Sequence, residues 1–285
     1  MPIDLAGKPI AITGASSGIG MVTALACARA GMPVALAARR EDRLRDVADR
    51  IRRLGGDAIV VRCDVTRPDD CATLVDRTVD AFGSIYSIFA NAGYGVEGEI
   101  ETLSDAALRD IFEVNFWGTM NTIRPALPHM RRAGQGHVLI CSSVVSKMGI
   151  PTLGAYSATK AAQDHIGRAL RIELHPTIRV STVHPIGTDT EFSQVVTERS
   201  GGRVRTARAP EGFRQSADVV ADAIVRCLRR PRGEVWTSTR GRAIAALATL
   251  APEFADACLR KYFASKTAGA QPGGTQPAAA PPRAS

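Results

Sequence analysis

Seven short apolar runs, separated by longer stretches of helical period, constrain this chain more than any other feature. "PIAIT" (9–13), "PVALAA" (33–38), "AIVVRC" (58–63), "IYSIFA" (85–90), "HVLICS" (137–142), "RVSTVH" (179–184) and "EVWTS" (234–238) are continuously apolar or β-rich, as strands covered on both faces require. Between them lie helical periods over about 18–30, 41–54, 68–81, 104–132, 153–174 and 216–230. Strand and helix taking turns predicts βαβ units. The fold class expected is therefore α/β: a Rossmann-like doubly wound parallel sheet of about seven strands with helices on both faces. Right-handed crossovers would place ligands beyond the carboxyl ends of the strands.

A chain of 285 residues can bury one sizeable core, and residues 1–240 are read as one domain. Within it, 186–215 are Gly/Arg-rich and weakly periodic, which predicts a mobile flap rather than core. Residues 241–263 form a C-terminal helical extension in which Pro252 ends one helix and opens another. The Pro/Gly/Ala stretch 264–285 is expected to be disordered.

Composition excludes several classes. No apolar run reaches the length of a membrane span, and the start "MPIDLAGKPIAITG" lacks a signal-peptide layout, so a cytoplasmic protein without membrane association is expected. The six cysteines have no metal-ligand spacing; they are read as reduced and mostly buried thiols, and no metal is expected. A net charge of +8 invites a nucleic-acid partner, but the arginines are interleaved with acids and only 5% of residues are aromatic, so none is expected.

"AITGASSGIG" closes the first strand and opens the first helix. Gly14, Gly18 and Gly20 suit a tight turn, backbone approach to a pyrophosphate, and close helix–strand contact, with Ser16, Ser17 and Ile19 between them at a helix N-terminus that favours an anion. After the second strand the chain reads "ALAARRED". Where an acid would bind a ribose diol stand Ala38 and then Arg39 and Arg40, a pair suited to the extra phosphate of NADP(H). Asp64, followed by Val65, is placed to meet the adenine amino group, and Asn91, Ala92 and Gly93 offer small residues beneath the adenine ribose.

TGxxxGIG at 13–20, CDV at 63–65, NAG at 91–93, Asn115, the serine pair 142–143 and Tyr156-x-x-x-Lys160 fall together in one order. In this the sequence resembles the short-chain dehydrogenase/reductase family, over about residues 6 to 240. The resemblance implies an NADP(H)-dependent oxidoreductase acting on a small-molecule alcohol or carbonyl. It further implies Asn115, Ser143, Tyr156 and Lys160 as the catalytic set, Asn115 holding a water that links Lys160 to solvent, and Lys160 holding the nicotinamide ribose. Ser142 is the competing choice for Ser143. Relatives are commonly homodimers or homotetramers built through two long helices, here about 104–132 and 153–174.

The spacing has its own chemistry. A tyrosine ionises near pKa ~10, so acid/base work near neutral pH asks for about three units, or ~4 kcal/mol of preference for phenolate. A lysine ammonium about 4 Å away, at an effective dielectric of about 20, supplies about that much. Residues i and i+4 share a helix face, so Lys160 is expected to lower the phenol's pKa, against the opposing effect of burial.

One departure stands out. Where relatives read Pro-Gly after the sixth strand, this chain has Pro185, Ile186 and then Gly187, with Thr188 and Thr190 following as carboxamide or phosphate ligands. A branched Ile186 is expected to narrow the nicotinamide pocket or to shift the carboxamide contacts. Tyr94, Val96, Val145, Met148 and Phe192 are expected to line a moderately apolar pocket, with Arg199, Arg203, Arg205 and Arg208 nearby. The alternatives weighed are a cofactor-bound redox sensor or scaffold without turnover, and a lyase or epimerase on the same fold; the first would usually show a lost Tyr or Lys.

Overall fold

The computed structural model of the protein describes residues 1–200, 209 and 211–268. Each predicted apolar run becomes a strand of one parallel sheet: β1 (Ile10–Thr13), β2 (Val34–Ala38), β3 (Ala58–Arg62), β4 (Ser87–Ala90), β5 (Gly136–Cys141), β6 (Ile178–His184) and, at its edge, β9 (Glu234–Trp236). The order is β3-β2-β1-β4-β5-β6-β9. Between β6 and β9 in sequence, β7 (Gly187–Asp189) and β8 (Arg214–Ser216) pair in a separate two-stranded sheet.

The runs are continuously apolar because neighbouring residues serve opposite faces. Ile10 and Ile12 of β1 join Val34 and Leu36 in one buried cluster, while Ala11 joins Ala35 and Ala37 in the other. On the first face pack α1 (Gly18–Arg29), α2 (Glu41–Arg53) and α9 (Ala217–Arg229), through Leu25, Leu44 and Ile224. On the second pack α3 (Pro68–Phe82), α5 (Gly118–Ile123), α6 (Ala126–Arg132) and α7 (Gly154–Glu173), through Leu74, Ile123, Met130 and Leu170. The strand order reverses between β1 and β4, each bonded to the other, so a crevice opens above their carboxyl ends.

Three segments differ from the expectations. The single period over 104–132 is resolved into α4 (Asp105–Phe112), a π-helical turn Glu113–Trp117, α5 and α6, because Pro125 cannot continue the hydrogen-bond ladder and Asn115 sits in a widened turn. Within 186–215, Phe192–Arg199 forms α8, whose Val196 is buried; with one short face against the protein its periodicity is weak in sequence. Arg203, Arg205 and Arg208 lie outside the described residues. In the C-terminal extension α10 (Thr239–Leu250) and α11 (Pro252–Ala268) meet at Pro252, and α11 runs past the expected boundary at 263; the predicted tail from 269 onward lies outside the described residues. Five cysteines are buried and Cys258 is exposed, all six unpaired. Among the described residues no helix is long and apolar enough to cross a membrane.

Candidate active site

The glycine loop lies at the carboxyl end of β1, against the end of β4. Gly14 holds φ +67, a left-handed conformation that side chains rarely adopt, and lets the chain turn directly into α1. Gly20 answers a different need: a Cβ there would lie 2.4 Å from the Gly14 carbonyl oxygen and 2.6 Å from Asn91 Nδ2. Asn91 is the clasp of this junction, its Nδ2 donating to the Thr13 carbonyl at 3.0 Å and its backbone N–H donating to Thr13 Oγ1 at 3.1 Å. Gly20→Ala is therefore expected to cost about 1–3 kcal/mol, several degrees of Tm in a thermal unfolding scan, because backbone must move apart to admit one methyl group.

The residues present suit a dinucleotide. Ser17 occupies the N-cap of α1 without its side chain capping the helix, which leaves first-turn N–H groups for an anion. The two hydroxyls of the loop are instead turned to Arg40, whose Nη2 donates to Ser17 Oγ at 2.9 Å and to Ser16 Oγ at 3.1 Å. Arg40 also pairs at 3.0 Å with Glu191, which Arg43 grips as well. Arg39, its neighbour, is exposed. Burial alone would raise the Asp64 carboxyl, but two hydrogen bonds from Thr66, with Arg39 and Arg67 near, hold it below the usual carboxylate range. Val65 packs directly on Gly118 of α5. The Ala92 backbone N–H donates to Thr13 Oγ1 at 3.3 Å, and a Cβ on Gly93 would meet Asn115 Oδ1 at 2.9 Å and Lys160 Nζ at 3.6 Å.

Ser143, Tyr156, Lys160 and Asn115 converge where β4, β5 and α7 meet. Tyr156 and Lys160 share one face of α7, the ammonium lying 5.5 Å from the centre of the phenol ring. The Ser143 hydroxyl accepts from the Val145 N–H at 3.3 Å and stands near enough to the phenol to favour its ionised form, whereas the hydroxyl of Ser142 is spent on the Lys160 carbonyl at 3.0 Å. Asn115 is fully buried; its side chain accepts from the Tyr94 N–H at 3.0 Å and donates to the Tyr94 carbonyl at 2.9 Å, holding the loop after β4 to the π-helical turn. Phe192 lies 5.4 Å from Tyr156, ring centre to ring centre, so α8 roofs the phenol. Arg199 at the end of α8 stands over the ring of Tyr94.

The expected lowering of the phenol's pKa by Lys160 is not what the protein alone produces. Burial, with Cys141 adding to it, pushes Tyr156 above its ordinary value, and the Ser143 hydroxyl only partly opposes this. The physical reason is burial: the phenol is withdrawn from water, while the Lys160 ammonium is directed to the Cys141 carbonyl at 2.8 Å and to Gln163 at 2.9 Å. Burial likewise pulls the Lys160 ammonium below its ordinary value, with Cys141 opposing.

The turn after β6 gives Ile186 a neighbour in the C-terminal extension. Ile186 is buried with its Cγ2 placed 2.8 Å from where a Cβ on Gly241 of α10 would stand, so this side chain serves as the seat of the C-terminal extension. Pro185 accepts from the Val144 N–H at 3.0 Å, Gly187 packs against Ala209, Thr188 Oγ1 donates to the Ile186 carbonyl at 2.9 Å, and Thr190 touches Gly18. Sequence reasoning missed three participants. Gln163, three residues after Lys160, accepts from its ammonium at 2.9 Å, and helical spacing alone put it on that face. Glu191 and the buried group of Lys147, Asp164 and His184 carried no motif; His184 Nε2 stands 3.4 Å from Asp164, which Lys147 also pairs.

Comparison with known proteins places these features. Residues 8–201 match the family model described as short chain dehydrogenase. The chain is 42% identical over 193 residues to an 11-beta-hydroxysteroid dehydrogenase A of Arachis hypogaea, and 39% identical over 203 residues to that of Sesamum indicum. These stretches make up 67% and 70% of this chain but only 55% and 58% of the two relatives, so it spans little more than half their length. An alcohol dehydrogenase from Thermococcus sibiricus complexed with 5-hydroxy-NADP superimposes with a TM-score of 0.70 at 32% identity, covering 80% of this chain and 95% of its own. A short chain dehydrogenase/reductase from Burkholderia phymatum in complex with NAD does so with a TM-score of 0.80 at 26% identity, covering 88% and 96%. With the Tyr156–Lys160 pair, the glycine loop and the seven-stranded sheet in one order, the chain belongs to the short-chain dehydrogenase family of oxidoreductases.

Proposed function

We propose that the protein interconverts a secondary alcohol and a carbonyl by hydride transfer, with NADP(H) as cofactor and Tyr156 as general acid/base. The observation that carries this reading is the convergence of the Ser143 and Tyr156 hydroxyls above a buried ammonium, beside a glycine loop whose serines face Arg40. When bound, the nicotinamide gives or takes the hydride.

The chain's own residues do the rest. The first turn of α1, with Ser16, Ser17 and Arg40, would hold phosphate oxygens. Lys160, exposed by only 4%, would hold the nicotinamide ribose and favour phenolate. Ser143 would polarise the substrate oxygen, and Tyr156 would pass a proton to it or take one from it. Tyr94, Val96 and Phe192 form an apolar wall, and α8 excludes water from the reacting atoms. That wall, with relatives named for hydroxysteroid and alcohol substrates, supports an apolar secondary alcohol or its ketone. We read the protein as a cytoplasmic homodimer or homotetramer, since Trp117 and Ile172 expose apolar surface on the long-helix side of the molecule.

Following intrinsic fluorescence while titrating NADPH and NADH, then screening ketones by loss of reduced-nicotinamide absorbance, tests the whole reading; absence of turnover with bound cofactor would support the sensor alternative. Arg40→Ala is expected to weaken NADPH about 10- to 100-fold, the effect of losing charge-assisted hydrogen bonds, with NADH little changed. An equal loss for both dinucleotides would remove the NADP(H) preference.

A further inference from the structure

Lys160 carries a buried ammonium whose two described partners are both neutral: the Cys141 carbonyl at 2.8 Å and Gln163 Oε1 at 2.9 Å. The other end of Gln163 is equally committed. Its Nε2 donates to the Asn115 carbonyl at 2.7 Å and to Thr119 Oγ1 at 2.7 Å, and the Thr119 hydroxyl itself donates to the same carbonyl at 2.7 Å. A carbonyl only accepts, and the single proton of Thr119 is already spent, so the amide must turn its NH2 group to them. Its oxygen is thereby forced toward Lys160. The π-helical turn contributes by bringing the Asn115 carbonyl within reach of two side chains. Gln163 is 1% exposed, and every one of its hydrogen-bonding atoms has a partner that no other orientation would satisfy.

We propose that Gln163 is a positioning residue for the acid/base pair: as a neutral acceptor locked by Asn115 and Thr119, it fixes the Lys160 ammonium beneath Tyr156 and keeps it charged. The proposal rests on the roles given above to Tyr156 and Lys160. Neutrality matters, because a carboxylate here would cancel the field that Lys160 exerts on the phenol, and a hydrocarbon would leave the ammonium one acceptor short in a low-dielectric site. The ionisable groups facing Lys160 are Tyr156 from its own helix and Cys141 from the end of β5. The loop at Gly93 and the π-helical turn present backbone and amide groups, and Asp164, one turn further along α7, is directed to Lys147 and His184.

The test is a pH titration of the Lys160 13Cε resonance in wild type, Gln163→Leu and Gln163→Glu, assigned with Lys160→Met, alongside pH profiles of alcohol oxidation. Gln163→Leu removes an acceptor, so the Lys160 midpoint is expected to fall by about one pH unit. Phenolate is then less favoured; the rising limb of kcat moves to higher pH, and kcat at neutral pH drops about tenfold. Gln163→Glu keeps the acceptor that faces Lys160 and supplies a negative charge, and the oxygen replacing Nε2 can be met by the Thr119 hydroxyl turning to donate to it, so the midpoint is expected to rise instead. Midpoints unchanged, or displaced in the same direction by both variants, would overturn the proposal. Should Gln163→Leu not fold, the near-isosteric Gln163→Glu still decides it, an unmoved or lowered midpoint refuting the assignment. Failure of the oxidoreductase reading looks different: wild type would oxidise no alcohol with either dinucleotide, while the resonance would still respond to both substitutions.

Discussion

Tyr156→Phe is expected to lower kcat/KM about 10³-fold, within the range a positioned proton donor supplies, while leaving NADPH binding close to wild type. The substitution removes one oxygen and keeps the ring that packs against Phe192. Steady-state kinetics and fluorescence titration on the same preparation check it; a variant retaining a tenth of the wild-type rate would transfer the acid/base role elsewhere. The pH dependence follows from the direction of the shift. Burial holds the phenol above its ordinary pKa, so under the proposed mechanism alcohol oxidation, which would need phenolate, is expected to rise toward alkaline pH, and carbonyl reduction, which would need the neutral phenol, to decline there. Any positive charge brought near the ring moves both limbs toward neutrality.

The largest effect on stability is expected at Asp164. Its carboxylate, 2% exposed, answers Lys147 on one oxygen and His184 Nε2 at 3.4 Å on the other. Asp164→Ala leaves the largely buried Lys147 ammonium with Glu234 alone, at 3.8 Å, and is expected to cost about 3 kcal/mol, a drop in Tm on the order of 10 °C by calorimetry. A change under ~1 kcal/mol would mean that Lys147 reaches water or Glu234, 3.8 Å away, at no cost. Burial would raise this carboxyl, but the neighbouring His184 and the Lys147 ammonium hold it well below the usual carboxylate range in the folded protein. With the folded pKa depressed, the stabilisation is fully present above the unfolded value near pH ~4 and is lost as pH falls below it toward the folded value. Because His184 also stacks on Trp236 at 4.3 Å and reaches the Ser143 carbonyl at 3.2 Å, loosening this group would disturb the strand ends that carry Ser143 and Pro185.

Legibility divided along a physical line. The strands were readable because a parallel sheet buried on both faces demands uninterrupted apolar runs, and β1 through β6 and β9 each sit on one of them. The glycine loop and Tyr156-x-x-x-Lys160 were readable because their spacing alone brings the groups together, through one turn and one helix face. Helix α8 was not, since a short element with one buried valine leaves little periodic signal. Nor was the direction of the Tyr156 shift, because burial is a property of what other elements place around a residue.

What the linear order determined is thus the alternating architecture, together with the candidate reactive side chains and the residues that could meet a dinucleotide. Tertiary structure alone decided which groups confront one another: Ser143 rather than Ser142 toward the phenol, Ile186 toward Gly241, and Gln163 between Lys160 and Asn115. Local spacing sets neighbours within one helix or turn, whereas contacts between β5, α7 and the π-helical turn depend on how separate elements pack. Electrostatic character follows that packing, because the cost of a buried charge is set by every dipole and charge around it.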